Sequence, residues 1–132
     1  MKSNFKEKDF QSLFTKYMKV NGFTCAYELK VSKGGTIHFS KFEDQQLPAL
    51  ERVEHGILHH KMTDASLGLK PFDGFCLRTE TALVGAMFHV RTQLGQTKFY
   101  MLGIDEVMKI KKSGAKSLKL SDFQIDGITI NL

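Results

Sequence analysis

The chain has 132 residues, two cysteines, no tryptophan and a formal net charge of +5. That length suits one domain with one modest core, so residues 1–132 are expected to form a single unit. With 42% apolar and 25% charged residues, composition points to a globular protein and not a disordered one, and the short apolar runs exclude a membrane span. The opening MKSNFKEKDF is charged and holds no apolar stretch of signal-peptide length, so a cytoplasmic, reduced protein is expected. Cys25 and Cys76 match no paired metal or redox spacing.

In chain order, residues 4–20 carry Phe10, Leu13, Phe14, Tyr17 and Met18 on one stripe, which predicts a helix ended by Asn21-Gly22. Residues 23–31 alternate strictly. Phe23, Cys25, Tyr27, Leu29 and Val31 share one apolar face, and Thr24, Ala26, Glu28 and Lys30 share the other, so a strand with one buried face is expected. Gly34-Gly35 turns into a short strand at 36–39. Ser40 with Glu43 reads as a capping box, and a second helical region starts twice, as a short piece and then over 47–55, stopped by Gly56.

Strands are expected at 57–62 and 71–77, and a hairpin from 82–91 and 98–104 around Gly95. Asp105 is expected to cap a helix running to Lys112, and 125–132 reads as a last strand. The fold class is therefore α/β at the boundary with α+β: a central mixed sheet flanked by helices.

Lysine is distributed in two groups. Residues 1–41 hold eight lysines, among them Lys8, Lys16, Lys33 and Lys41, against three acids. Residues 109–119 hold five, including Lys111 and Lys112, and no acid. Both groups read as solvated faces or as surfaces for a polyanion.

Glu28 and Lys30 are the sharpest feature. Two residues apart on a strand, their side chains emerge on one face about 7 Å apart at the backbone. Alone, such a pair is an ordinary surface ion pair. Lys70-Pro71-Phe72-Asp73 opens another apolar strand, placing an acid on the face of Phe75 and Leu77, where it is costly unless paired or bound to a cation. Glu28 and Asp73 are thus candidates to share a divalent metal.

These residues, together with ELKVSKGGTIHFSKFEDQQLPAL, ALVGAMFHV, TKFYMLGIDEVMKI and KSLKL, make the chain resemble the PD-(D/E)XK nuclease superfamily, and within it the RecU-type Holliday-junction resolvases. The likeness runs over most of residues 5–120 through the joint order of short motifs. One departure is plain: the family's metal-binding Asp precedes Glu-x-Lys, whereas Asp73 follows it. The resemblance then requires Asp73 to return beside Glu28 in space.

What the resemblance implies is a restriction-endonuclease-like fold and an Mg2+- or Mn2+-dependent DNA endonuclease. Asp73, Glu28 and the backbone carbonyl of Leu29 would hold the metal. Lys30 would orient or deprotonate the attacking water, leaving a 5′-phosphate and a 3′-hydroxyl. Glu7, from the first helix, would be an added acid or merely the partner of Asn4 in a capping box. Gln45 or Gln46, with Gln46 favoured, would contact water or the scissile phosphate. Lys8, Lys16, Lys33, Lys41, Lys111 and Lys112 would bind DNA. A branched substrate and a homodimer are implied, and the compact size is compatible with a phage origin. The rivals are another nuclease of the same fold, acting in repair, restriction or phage DNA processing, and a non-catalytic basic nucleic-acid-binding protein.

His55, His59 and His60 are not expected to bind zinc, because Gly56 interrupts the helix that would align the first two. No phosphate loop, dinucleotide fingerprint or serine elbow occurs.

Overall fold

A computed structural model of the protein describes residues 7–21, 25–63, 70–77, 81–89 and 98–131. Its elements are α1 (Glu7–Asn21), β1 (Ala26–Ser32), β2 (Thr36–His38), a 3-10 turn (Phe39–Lys41), α2 (Gln46–His55), β3 (Leu58–Lys61), β4 (Gly74–Leu77), β5 (Ala82–Phe88), β6 (Lys98–Gly103), α3 (Ile104–Lys112), β7 (Ser117–Lys119), α4 (Leu120–Asp126) and β8 (Ile128–Asn131). The central sheet runs β1-β5-β6-β8, with β1 parallel to β5 and the other pairs antiparallel. Two small two-stranded sheets, β2-β7 and β3-β4, accompany it. This is the expected central mixed sheet flanked by helices. No helix among the described residues is long and apolar enough to cross a membrane.

Each face of the sheet carries its own core. On one, Phe10, Phe14 and Met18 of α1 lie one turn apart and bury against Leu29, Leu83, Met87, Phe99 and Met101. The rings of Phe10 and Phe14 sit 5.6 and 5.5 Å from that of Phe99. α1 approaches closely because position 85 lacks a side chain: a Cβ there would lie 2.6 Å from Leu29 Cδ2 and 3.3 Å from Phe14 Cε2. On the other face, Leu47, Leu50 and Val53 of α2 pack with Val84, Ala86, Tyr100, Leu102, Val107 and Phe123. Strand β5, lined by both layers, is buried at every residue, as a near-continuous apolar run requires.

Three expectations are corrected. The last strand, expected from residue 125, starts at Ile128: residues 125 and 126 end α4, which forms because Leu120 and Phe123 turn together into the second core and Asp122 accepts the Lys119 N–H at 2.8 Å. Asp105 does not cap α3: the N-cap is Gly103, and the Asp105 carboxylate instead meets His55 at 2.7 Å. Residues 71–73 are a bend, not strand, since β4 starts only at Gly74. Gly95 and Phe23 lie outside the described residues.

Candidate active site

β1 is an edge strand of the central sheet, and alternation gives its two faces different neighbours. Leu29 is buried under α1. Glu28 and Lys30 stand in register with Val84 and Ala86, whose side chains belong to the α2 core, so both emerge on that side. The expectation of one buried and one open face is therefore corrected: helices cover both. Glu28 and Lys30 occupy the rim of a core, with side chains 24% and 13% exposed.

Lys30 Nζ lies 3.2 Å from Glu28 Oε1. Its ammonium also sits 5.2 Å from the centre of the Phe42 ring, a cation–π contact on a side chain that the 3-10 turn delivers. Phe42 had no part in the expected site.

Gln46, the first residue of α2, completes the cluster. Its Nε2 donates to Glu28 Oε1 at 3.0 Å, while its Oε1 accepts the Glu43 N–H at 2.9 Å. Both ends of the amide are thus engaged, which fixes its orientation. The Glu43 N–H that orients it belongs to the helix start, and the reciprocal pair there is Glu43 with Gln46, in place of the expected Ser40 with Glu43. Gln45 turns elsewhere, to Glu43 Oε2 at 2.6 Å, so of the two glutamines Gln46 is the one at the site.

Both contacts on Glu28 fall on Oε1; among the described residues Oε2 takes no hydrogen bond or ion pair. The cluster therefore presents one ionisable carboxylate with an open oxygen, one ammonium in low-dielectric surroundings, and an amide that holds the carboxylate still.

Asp73 has other neighbours. The bend before β4 carries it, β4 pairs with β3 alone, and its side chain is 97% exposed with Lys70 Nζ at 3.4 Å. No hydrogen bond or ion pair joins it to Glu28. The burial that made an acid at 73 costly does not exist, because the strand starts one residue later. Among the described residues no group of three His, Cys, Asp or Glu is placed to hold a metal.

Glu7 is exposed in the first turn of α1, across the sheet from Glu28. Lys8 and Lys16 are exposed on that same helix, where with Lys19 they line a shallow recess. Lys33 and Lys41 are exposed just after β1 and in the 3-10 turn, and Lys111 and Lys112 in the last turn of α3. His59 and His60 lie exposed on β3, with the His60 ring 5.3 Å from that of Phe75.

No family model, curated protein or solved structure matches this chain. Its own geometry carries the functional argument.

His55 was expected to be a loop or strand histidine and not a zinc ligand. Instead its Nε2 meets Asp105 Oδ1, linking the last residue of α2 to the first turn of α3. The hydrogen bond to Asp105, and then its charge, raise the His55 pKa above the ordinary 6.5.

Proposed function

We propose that the protein is an endonuclease that hydrolyses phosphodiester bonds of DNA, with Glu28 and Lys30 as its working pair. The observation that carries this reading is the shared Glu28 oxygen, bound at once by Lys30 and by a Gln46 amide that the start of α2 orients. An attacked phosphate is anionic and gains charge in the transition state, so a fixed cation beside it stabilises that state more than the ground state. Lys30, mostly withdrawn from water and resting on Phe42, is such a cation. Gln46 is a positioning residue: it keeps Glu28 from swinging with its strand's open edge.

A hard divalent cation takes oxygen ligands, and Mg2+ uses as few as one or two protein carboxylates. Glu28 Oε2 fits one such position, with the Leu29 carbonyl next along the strand. A bound Mg2+ or Mn2+ would supply charge neutralisation and a water of lowered pKa. Asp73 is not part of this donor set.

Branched DNA is the finer proposal. A four-way junction offers two symmetric cut points, which calls for a two-fold dimer. A second reading, a non-catalytic nucleic-acid-binding protein, draws on one observation: Glu28 and Lys30 satisfy each other as a structural pair does.

The deciding experiment incubates the purified protein with junction, flap and linear duplex DNA in Mg2+. Cleavage that chelator abolishes, and that falls about 100-fold or more in both Glu28→Gln and Lys30→Ala, is expected. Binding with no cleavage on any substrate favours the second reading, and full cleavage by both variants refutes the site. Preference for linear duplex removes the junction.

A further inference from the structure

The second lysine group, residues 109–119, ends in β7, which pairs with β2 in the β2-β7 ladder. Thr36 pairs with Lys119, Ile37 with Leu118 and His38 with Ser117. The Phe39 N–H donates to the Lys116 carbonyl at 3.0 Å, and the Leu120 N–H to that of Gly35 at 2.8 Å. Ile37 and Leu118 are both buried, so the ladder is anchored in the second core. Between this ladder and the end of α3 lies a recess of about 460 Å³ whose polar lining includes His38, Ser40, Lys111 and Lys116. No acid lines it.

Part of this charge has a plain explanation. Lys109, Lys111 and Lys112 sit in the last turn of α3, where cations offset the helix dipole. Lys116 lies beyond the helix, past Gly114, whose φ of +93° reverses the chain so that Lys111 and Lys116 border one recess. The dipole does not account for it. The recess is linked to the candidate active site through packed rings: Phe39 lines it, the Phe39 ring is 6.5 Å from that of Phe42, and the buried Phe42 ring lies under Lys30.

We propose that this recess is a phosphate-binding subsite for the backbone of a nucleic-acid strand passing the Glu28–Lys30–Gln46 cluster. The inference rests on the nucleic-acid part of the proposed function and names where the strand is gripped. It also separates two basic surfaces. The α1 lysines lie across the sheet from Glu28, whereas Lys111 and Lys116 lie on its side, so the latter hold the strand that is cut.

The test measures DNA affinity against salt for Glu28→Gln protein, which blocks cleavage, with and without Lys111→Glu and Lys116→Glu together. Each lost phosphate contact lowers the log–log salt slope by about 0.9, so the double change is expected to reduce it by about two. Affinity near 0.1 M salt should fall by about tenfold or more, and Lys8→Glu with Lys16→Glu should cost less. All four lysines are exposed, and an unchanged melting temperature confirms that the variants fold.

Unchanged slope and affinity in Lys111→Glu/Lys116→Glu overturn the subsite, as does an equal loss from the α1 pair. If the parent chain never cleaves DNA yet the slope falls, the subsite stands and the nuclease reading fails. If cleavage depends on Glu28 while the slope stays fixed, the reverse holds. RNA of the same sequence binding more tightly, with the same lysine dependence, keeps the subsite and assigns it to RNA.

Discussion

Glu28 and Asp73 are both acids on or beside short strands, and they end in opposite circumstances. Glu28 lies on a strand whose two faces are covered by helices, so its carboxylate is confined and must be satisfied by Lys30 and Gln46. Asp73 precedes a two-stranded hairpin, and its carboxylate is exposed beside Lys70. The difference lies in the layers, not in the acids. A carboxylate acquires fixed geometry where two layers of packing meet at its strand, and a lone ladder does not supply them.

The largest effect that separates the two regions is on stability. Phe99 is fully buried beneath α1, with the rings of Phe10, Phe14 and Tyr17 around it, whereas Phe75 is exposed on β4. Phe99→Ala is expected to cost about 3–5 kcal/mol in a urea melt, and Phe75→Ala under about 1. Equal costs would mean that the hairpin is as much a part of the core as the central sheet.

Catalysis sharpens the contrast at the residues themselves. Asp73→Asn is expected to retain cleavage within about tenfold of the parent, against the loss of about 100-fold or more in Glu28→Gln. Single-turnover rates on one DNA substrate compare them directly. An equal loss in both, with no further loss in the double variant, would place the two carboxylates on one ion in the catalytic complex and require the hairpin to move onto β1.

What could be read from the chain follows the same division. The alternation of residues 23–31 and the stripe of α1 located the strand and one of its covering helices, because periodicity reports which side chains are buried. It also put Glu28 and Lys30 together, since spacing along a strand fixes faces. Family likeness offered Gln46 as a contact for water or phosphate, but neither its bond to Glu28 nor its partner Glu43 was foreseen, because a contact between α2 and β1 spans eighteen residues and depends on how a layer docks. Asp73 shows the limit from the other side. An acid in an apolar run looks buried, but burial belongs to the sheet that the run joins, and four residues of hairpin exclude little water. The last strand was expected from residue 125, but β8 starts at Ile128, because residues 125 and 126 close α4, a helix that depends on Phe123 reaching the second core.

The smallest expected effect marks the boundary between the two regions. His55 is the last residue of α2; its first, Gln46, holds Glu28, and the hairpin begins three residues beyond it. The His55–Asp105 contact ties that end of the helix to α3, with side chains 62% and 57% exposed. Asp105, by hydrogen bond and then by charge, raises the His55 pKa, with Glu54 and Glu51 adding to it and slight desolvation opposing it, while Lys109 and Lys112 line the same recess from α3. A folded pKa above the unfolded one means that the link adds stability below the unfolded value and gives it up as pH rises through the folded value. The contribution is small because water screens an exposed pair. In an NMR titration the His55 imidazole should therefore deprotonate above pH 6.5, and Asp105→Asn should bring it down. An unmoved His55 midpoint would show that α2 is free of α3 at this end.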